Sequence, residues 1–136
     1  MPLQNNRLTT TVGVELEVNN IANASNDKAK VRARFTQVAH GLERWVVKGD
    51  ASCGNGSSGG VELNSFIMES TDDLRTVAKA CYEMRGLGFK VNTRCGLHVH
   101  LGVSHLTDAQ VADLRAAVAE QRRMDFSDGV DLVGCD

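Results

Sequence analysis

Long apolar runs, proline, aromatic rings and a dominant sign of charge are all scarce in this chain, and each scarcity closes off a class of protein. No apolar run among the 136 residues approaches the ~20 that a membrane span needs. The N-terminus has no basic segment followed by an apolar core, so no signal peptide is expected. A net charge of −2, with the two signs interspersed, gives nothing that points to a polyanion or a bilayer surface. Neither nucleic acid nor membrane is expected as a partner. Cys53, Cys81, Cys95 and Cys135 are widely spaced with no C-x-x-C pair, which argues against a zinc ribbon and a disulfide framework and fits a reducing, cytoplasmic setting. With one proline, Pro2, and 4% aromatic residues, the core has to be built from Val, Leu and Ala. The glycine and serine stretch at 54–60 lacks the Gly-Lys-Ser/Thr ending of a P-loop.

What is present is a single domain over residues 1–136, large enough to bury roughly two-thirds of the surface its unfolded chain exposes. Its most informative stretch is Cys95-Gly-Leu-His-Val-His-Leu-Gly-Val103, where apolar and other residues alternate with the period of a strand. Leu97, Val99, Leu101 and Val103 are expected on one face. Gly96, His98, His100 and Gly102 are expected on the other, two imidazoles on a face cleared by glycine, which in a strand often marks close approach of a ligand or another backbone. The segment Thr9–Val18 repeats the pattern, with Gly13, Glu15 and Glu17 opposite Val12, Val14, Leu16 and Val18. Two carboxylates about 7 Å apart repel by roughly 2 kcal/mol at an effective dielectric near 20, so a partly buried pair calls for a cation or donors between them.

Between these strands the periodicity predicts a helix over 26–42, with Val31, Phe35, Val38 and Leu42 inward, a cap from Ser25, Asn26 or Asp27, and a stop at Gly41. A short strand over 43–49, a loop or hairpin tip over 50–60 and a strand over 61–68 follow, the last placing Glu62 and Asn64 on one face. Thr71 is read as the cap of a second helix with Leu74, Val77, Ala78, Cys81 and Leu87 inward, closed by Gly86 and Gly88. A strand over 89–92 leads into the His98 strand. Thr107 and Gln110 form a capping box for a third helix that faces inward through Val111, Leu114 and Val118. The residues after Arg123 show no pattern that places them. This is an α+β domain, a curved and mainly antiparallel sheet backed by helices, whose uncovered face carries Glu15, Glu17, Glu62, His98 and His100.

Three carboxylates and two imidazoles form a hard donor set suited to Mg²⁺ or Mn²⁺, which in turn usually accompanies phosphates. Taken singly, H-x-H on a strand and G-x-E-x-E are weak signals that any strand with a solvated face can produce. Their weight comes from agreement between three separate segments.

Gly13-Val-Glu15-Leu-Glu17, then Trp45 with Asp50-Ala-Ser52, then Gly60-Val-Glu62-Leu-Asn-Ser65, then Cys95-Gly96-Leu-His98-Val-His100, resemble the amidoligase family, relatives of glutamate-cysteine ligase and glutamine synthetase. The resemblance spans about residues 11–120 and departs at Phe66, where the family commonly has proline. It implies a glutamine synthetase-like catalytic half-barrel, of which this chain holds the N-terminal portion and is incomplete at its C-terminus. It also implies ATP- and Mg²⁺-dependent joining of a small-molecule or peptide carboxylate to an amine through an acyl phosphate. Carried over by position, Glu15, Glu17, Glu62 and His98 are metal ligands, Glu15, Glu62 and His98 the catalytic set, His100 and Ser52 contacts to the nucleotide, and Asp50 and Ser52 contacts to substrate. Homo-oligomerisation is left open. Two other readings stand beside the ligase: a degenerate ligase fold that binds nucleotide or metal without turnover, and a zinc-dependent hydrolase using His98 and His100.

Overall fold

Alternation from Arg7 to Asn19 produces the longest strand, β1, and the sheet is built on both of its edges. The structure, a computed structural model, describes residues 6–19, 27–55, 58–125 and 130–133. In chain order, β1 is followed by helix α1 (Asp27–Val38), a 3₁₀ turn (Leu42–Arg44), strands β2 (Val46–Asn55), β3 (Ser58–Asn64) and β4 (Met68–Ser70), helix α2 (Thr71–Gly86), strand β5 (Leu97–Gly102), helix α3 (Asp108–Asp125) and strand β6 (Val130–Val133). The sheet order is β2-β3-β1-β5-β6, with β4 also on β1. All pairings are antiparallel except β5 with β6. The α+β class with a mainly antiparallel, open sheet and three helices is therefore observed.

One face of the sheet packs on α1 and α2. Val14, Val47, Val61 and Leu63 meet Val31 and Phe35 of α1 and Ala80 and Met84 of α2 in one buried cluster. Trp45 closes its lower edge and donates its indole N–H to Thr76 Oγ at 3.1 Å, while that hydroxyl donates to Asp73 O. These paired polar atoms explain a correction to the second helix. Leu74, Val77 and Leu87 pack against the core as expected and are joined by the buried Thr76, Ala80, Glu83 and Met84, whereas Ala78 and Cys81 are exposed. Glu83 is buried because Arg34 of α1 meets it at 2.5 Å, a pair that also ties the two helices together.

Several boundaries differ from the sequence expectation. The first helix stops at Val38, because Ala39 and His40 adopt left-handed backbone angles before Gly41 at φ 98°, and Leu42 is delivered to the core by the 3₁₀ turn instead. The proposed caps Ser25 and Asn26 lie outside the described residues. The supposed loop after Gly49 is mostly strand, since β2 and β3 run out to Asn55 and Ser58 as a long hairpin, with only its tip outside the described residues. The strand over 61–68 is broken at Ser65, whose hydroxyl accepts the Val14 N–H at 2.9 Å and donates to Phe66 O. The partner strand then resumes as β4, pairing Met68 with Val12. Ser70, rather than Thr71, caps α2 by accepting the Asp73 N–H. Residues 89–92 form no strand; a single bridge joins Lys90 to Asn19. The Thr107–Gln110 capping box is present in both directions, but Val111, Leu114 and Val118 are half-buried at most.

Candidate active site

Pairing register, not chain proximity, assembles the polar residues. Across β1 and β5, Glu15 is opposite His98 and Gly13 opposite His100; across β1 and β3, Glu17 is opposite Glu62 and Glu15 opposite Asn64. Directly opposed residues in a sheet share a face, with Cβ atoms about 5 Å apart. Glu15, Glu17, Glu62, His98 and His100 therefore stand on the face of the sheet that turns away from the α1–α2 core. Register continues the row into β2, where Lys48 is opposite Glu62 and Asp50 opposite Gly60. Ser52 lies on the backbone of β2, and its side chain is outside the described residues.

Glu15 is the hub. Its Oε2 lies 3.0 Å from His98 Nδ1 and its Oε1 lies 3.4 Å from His100 Nε2. The side chains are 32, 37 and 29% exposed respectively, so water has access to the cluster without filling it. The hydrogen bond from His98 holds the Glu15 carboxyl below its ordinary range; partial burial opposes this, and the positive field of His100 reinforces it. His100 Nε2 is buried, with Glu15 Oε1 at 3.4 Å, and Asn64 Oδ1 on the adjoining strand is buried without a hydrogen-bond partner.

Glu17 is held differently. Gly96 accepts the Glu17 N–H at 3.0 Å and returns its own N–H to Glu17 Oε2 at 2.9 Å. A Cβ at residue 96 would sit 3.3 Å from His98 Nε2 and 3.4 Å from Glu17 Oε2, so glycine there permits the imidazole and the carboxylate to close in over the backbone. The expectation that glycine clears room for a ligand does not extend to Gly102. There the space is taken by Thr11, whose Oγ would lie 2.0 Å from an added Cβ.

The five residues thus share one face, and three of them, Glu15, His98 and His100, are in contact. Among the described residues no three His, Cys, Asp or Glu side chains surround a common point able to hold a metal ion. Glu15 is turned to its histidines and Glu17 to an amide. The donor set itself, carboxylate oxygens with imidazole nitrogens on a rigid sheet, suits Mg²⁺ or Mn²⁺, and a cation would compete for the oxygens these neighbours now engage. Glu15, Glu17, Glu62 and His98 are the residues that could hold it. Sequence reasoning missed the Gly96 amide as the anchor of Glu17, and Lys48 beside Glu62; counting alternate positions back from Asp50 would have found the lysine.

The family described as “putative amidoligase enzyme” matches residues 8–124, from the start of β1 to the end of α3. The chain belongs to the amidoligase family. Membership points to a ligase-type enzyme, and the matched span includes every strand that carries the polar face. No curated protein and no solved structure matches this amidoligase chain. Among the described residues, no helix of this amidoligase is long and apolar enough to cross a membrane.

Proposed function

We propose that the protein is a carboxylate–amine ligase that uses ATP and Mg²⁺, its sheet contributing to a glutamine synthetase-like half-barrel. A substrate carboxylate would attack the γ-phosphorus of ATP, giving an acyl phosphate and ADP; an amine would then attack the acyl carbon, expelling phosphate and losing its proton. Glu15, Glu17, Glu62 and His98 would hold Mg²⁺, which when bound neutralises phosphate charge and aligns the reacting oxygens. His100 would present its ring N–H to a phosphate oxygen, and Ser52 and Asp50 would contact nucleotide and substrate.

The observation that carries this reading is the Glu15–His98–His100 contact, with Glu17 and Glu62 on the same face, in a chain that belongs to the amidoligase family. The protein, supplied with ATP, Mg²⁺ and panels of acids and amines, should release ADP and phosphate, and Glu15→Gln or His98→Ala should abolish the release. Turnover that survives in both variants overturns the roles assigned. A second reading is a nucleotide- or metal-binding module without turnover, built on the same face of Glu15, Glu17, Glu62, His98 and His100. Calorimetry separates the two, since the module would take up ATP with Mg²⁺ and leave it intact.

A further inference from the structure

The sheet parts from its neighbour at one place, and a cavity opens there. Gly96 is the last residue of the β5 side to bond β1, and the chain next returns to β1 only at the Lys90–Asn19 bridge. Residues 91–95 bow outward between these two points, and the end of α2 forms the back wall. The result is a cavity of about 470 Å³, within the range of small-molecule sites. Its walls include Leu16, Val18, Met84, Phe89, Val91 and Leu97. Val91 and Leu97 are 75 and 48% exposed, so two aliphatic side chains at its mouth face water. Apolar surface of this kind, gathered in a hollow, is what a ligand-binding site presents.

The polar residues of the wall indicate the charge of the occupant. Arg85 and Lys90 both contribute to the lining, and neither has an ion pair among the described residues. The one carboxylate present, Glu17, is already engaged by the Gly96 N–H. Two unpaired cations against apolar walls match a molecule with an apolar body and one negative end. We propose that this cavity, which borders the polar face at Glu17, is a second binding site for a small amphiphilic anion: an aliphatic or aromatic body carrying a single carboxylate. The site depends on no part of the ligase reading.

Two thiols, Cys81 and Cys95, line the same cavity and are free, which supplies a built-in reporter. Octanoate titrated calorimetrically into the full chain should bind one to one. It should slow alkylation of Cys81 and Cys95 by iodoacetamide, located by mass spectrometry, relative to the ligand-free protein. Uncharged 1-octanol should bind about tenfold more weakly or worse, as should octanoate to an Arg85→Gln/Lys90→Gln protein, since each lacks the charge-assisted contact. Arg75→Gln, on the exposed surface of α2, serves as the charge control and should bind octanoate normally. Unchanged reactivity of Cys81 and Cys95 under octanoate overturns the proposal. So does 1-octanol binding as tightly as octanoate, or a folded double variant, judged by near-ultraviolet dichroism, that binds octanoate like wild type.

Discussion

Glu15 receives a hydrogen bond from His98 and sits in the field of His100, and its titration should reveal both. A carboxyl whose folded pKa lies below its unfolded value contributes stability that is full above that unfolded value, here near 4.5, and disappears as pH falls through the lowered one. In metal-free protein, His98→Ala should move the Glu15 carboxyl titration upward, followed by carbon-detected NMR. The stability gap between wild type and variant should narrow over the same acid range. An unmoved titration would show that His98 is not the dominant influence. Gly96→Ala tests the other carboxylate. Its new methyl group would press on the ends of two side chains rather than on backbone, so stability should fall by no more than about 1 kcal/mol. Displacing Glu17 and His98 by a few tenths of an ångström should lower the proposed ligase turnover by up to about tenfold, since a misplacement of about 1 Å near reacting groups costs on the order of a hundredfold. Unaltered turnover would remove Glu17 from the site. Alternation made Glu15, Glu17, His98 and His100 legible as a shared face, because a strand's period of two is a property of neighbouring residues. The mutual approach of Glu17 and Gly96, 79 positions apart, depends on where β5 ends against β1, which no local pattern encodes.

At the scale of elements, the misread boundaries share a physical origin: polar side chains that bond locally. Ser65 replaces a ladder contact with its hydroxyl and breaks β3 from β4. Ser70 takes the capping role from Thr71 because its side chain, in extended backbone, can reach the Asp73 amide. Ser70→Ala should therefore cost about 1 kcal/mol in chemical denaturation, whereas Thr71→Ala should cost a few tenths; equal effects would mean that the cap is not where the structure has it. On α2, Leu74, Val77 and Leu87 do pack on the core, but a periodicity count admits only apolar residues and so omits Thr76 and Glu83, which are buried with partners supplied by Trp45 and Arg34. Composition alone predicts a strand over 89–92. Gly88 at φ 87° turns the chain so that only Lys90 reaches β1, and the rest of the segment walls the cavity.

For the whole molecule, the core is one-sided. Both α1 and α2 seal one face of the sheet, and among the described residues the buried cluster contains none from α3. Although α3 has the better-formed capping box, no side chain described in it is buried, and Val111, Leu114 and Val118 are at most half-covered. A helix held mainly by its own hydrogen bonds and cap opens more readily than one packed into a core, because a short isolated helix is marginal in water. Backbone amides in the middle of α3 should therefore exchange with deuterium faster than those around Ala80–Met84 of α2, by on the order of a hundredfold under native conditions. Amides of β1 facing β3 and β5 should be among the slowest, since that strand is paired on both edges. If α3 proves as protected as α2, then it is covered in solution by something that these contacts do not include, and the sheet's helical layer is more extensive than α1 and α2 alone.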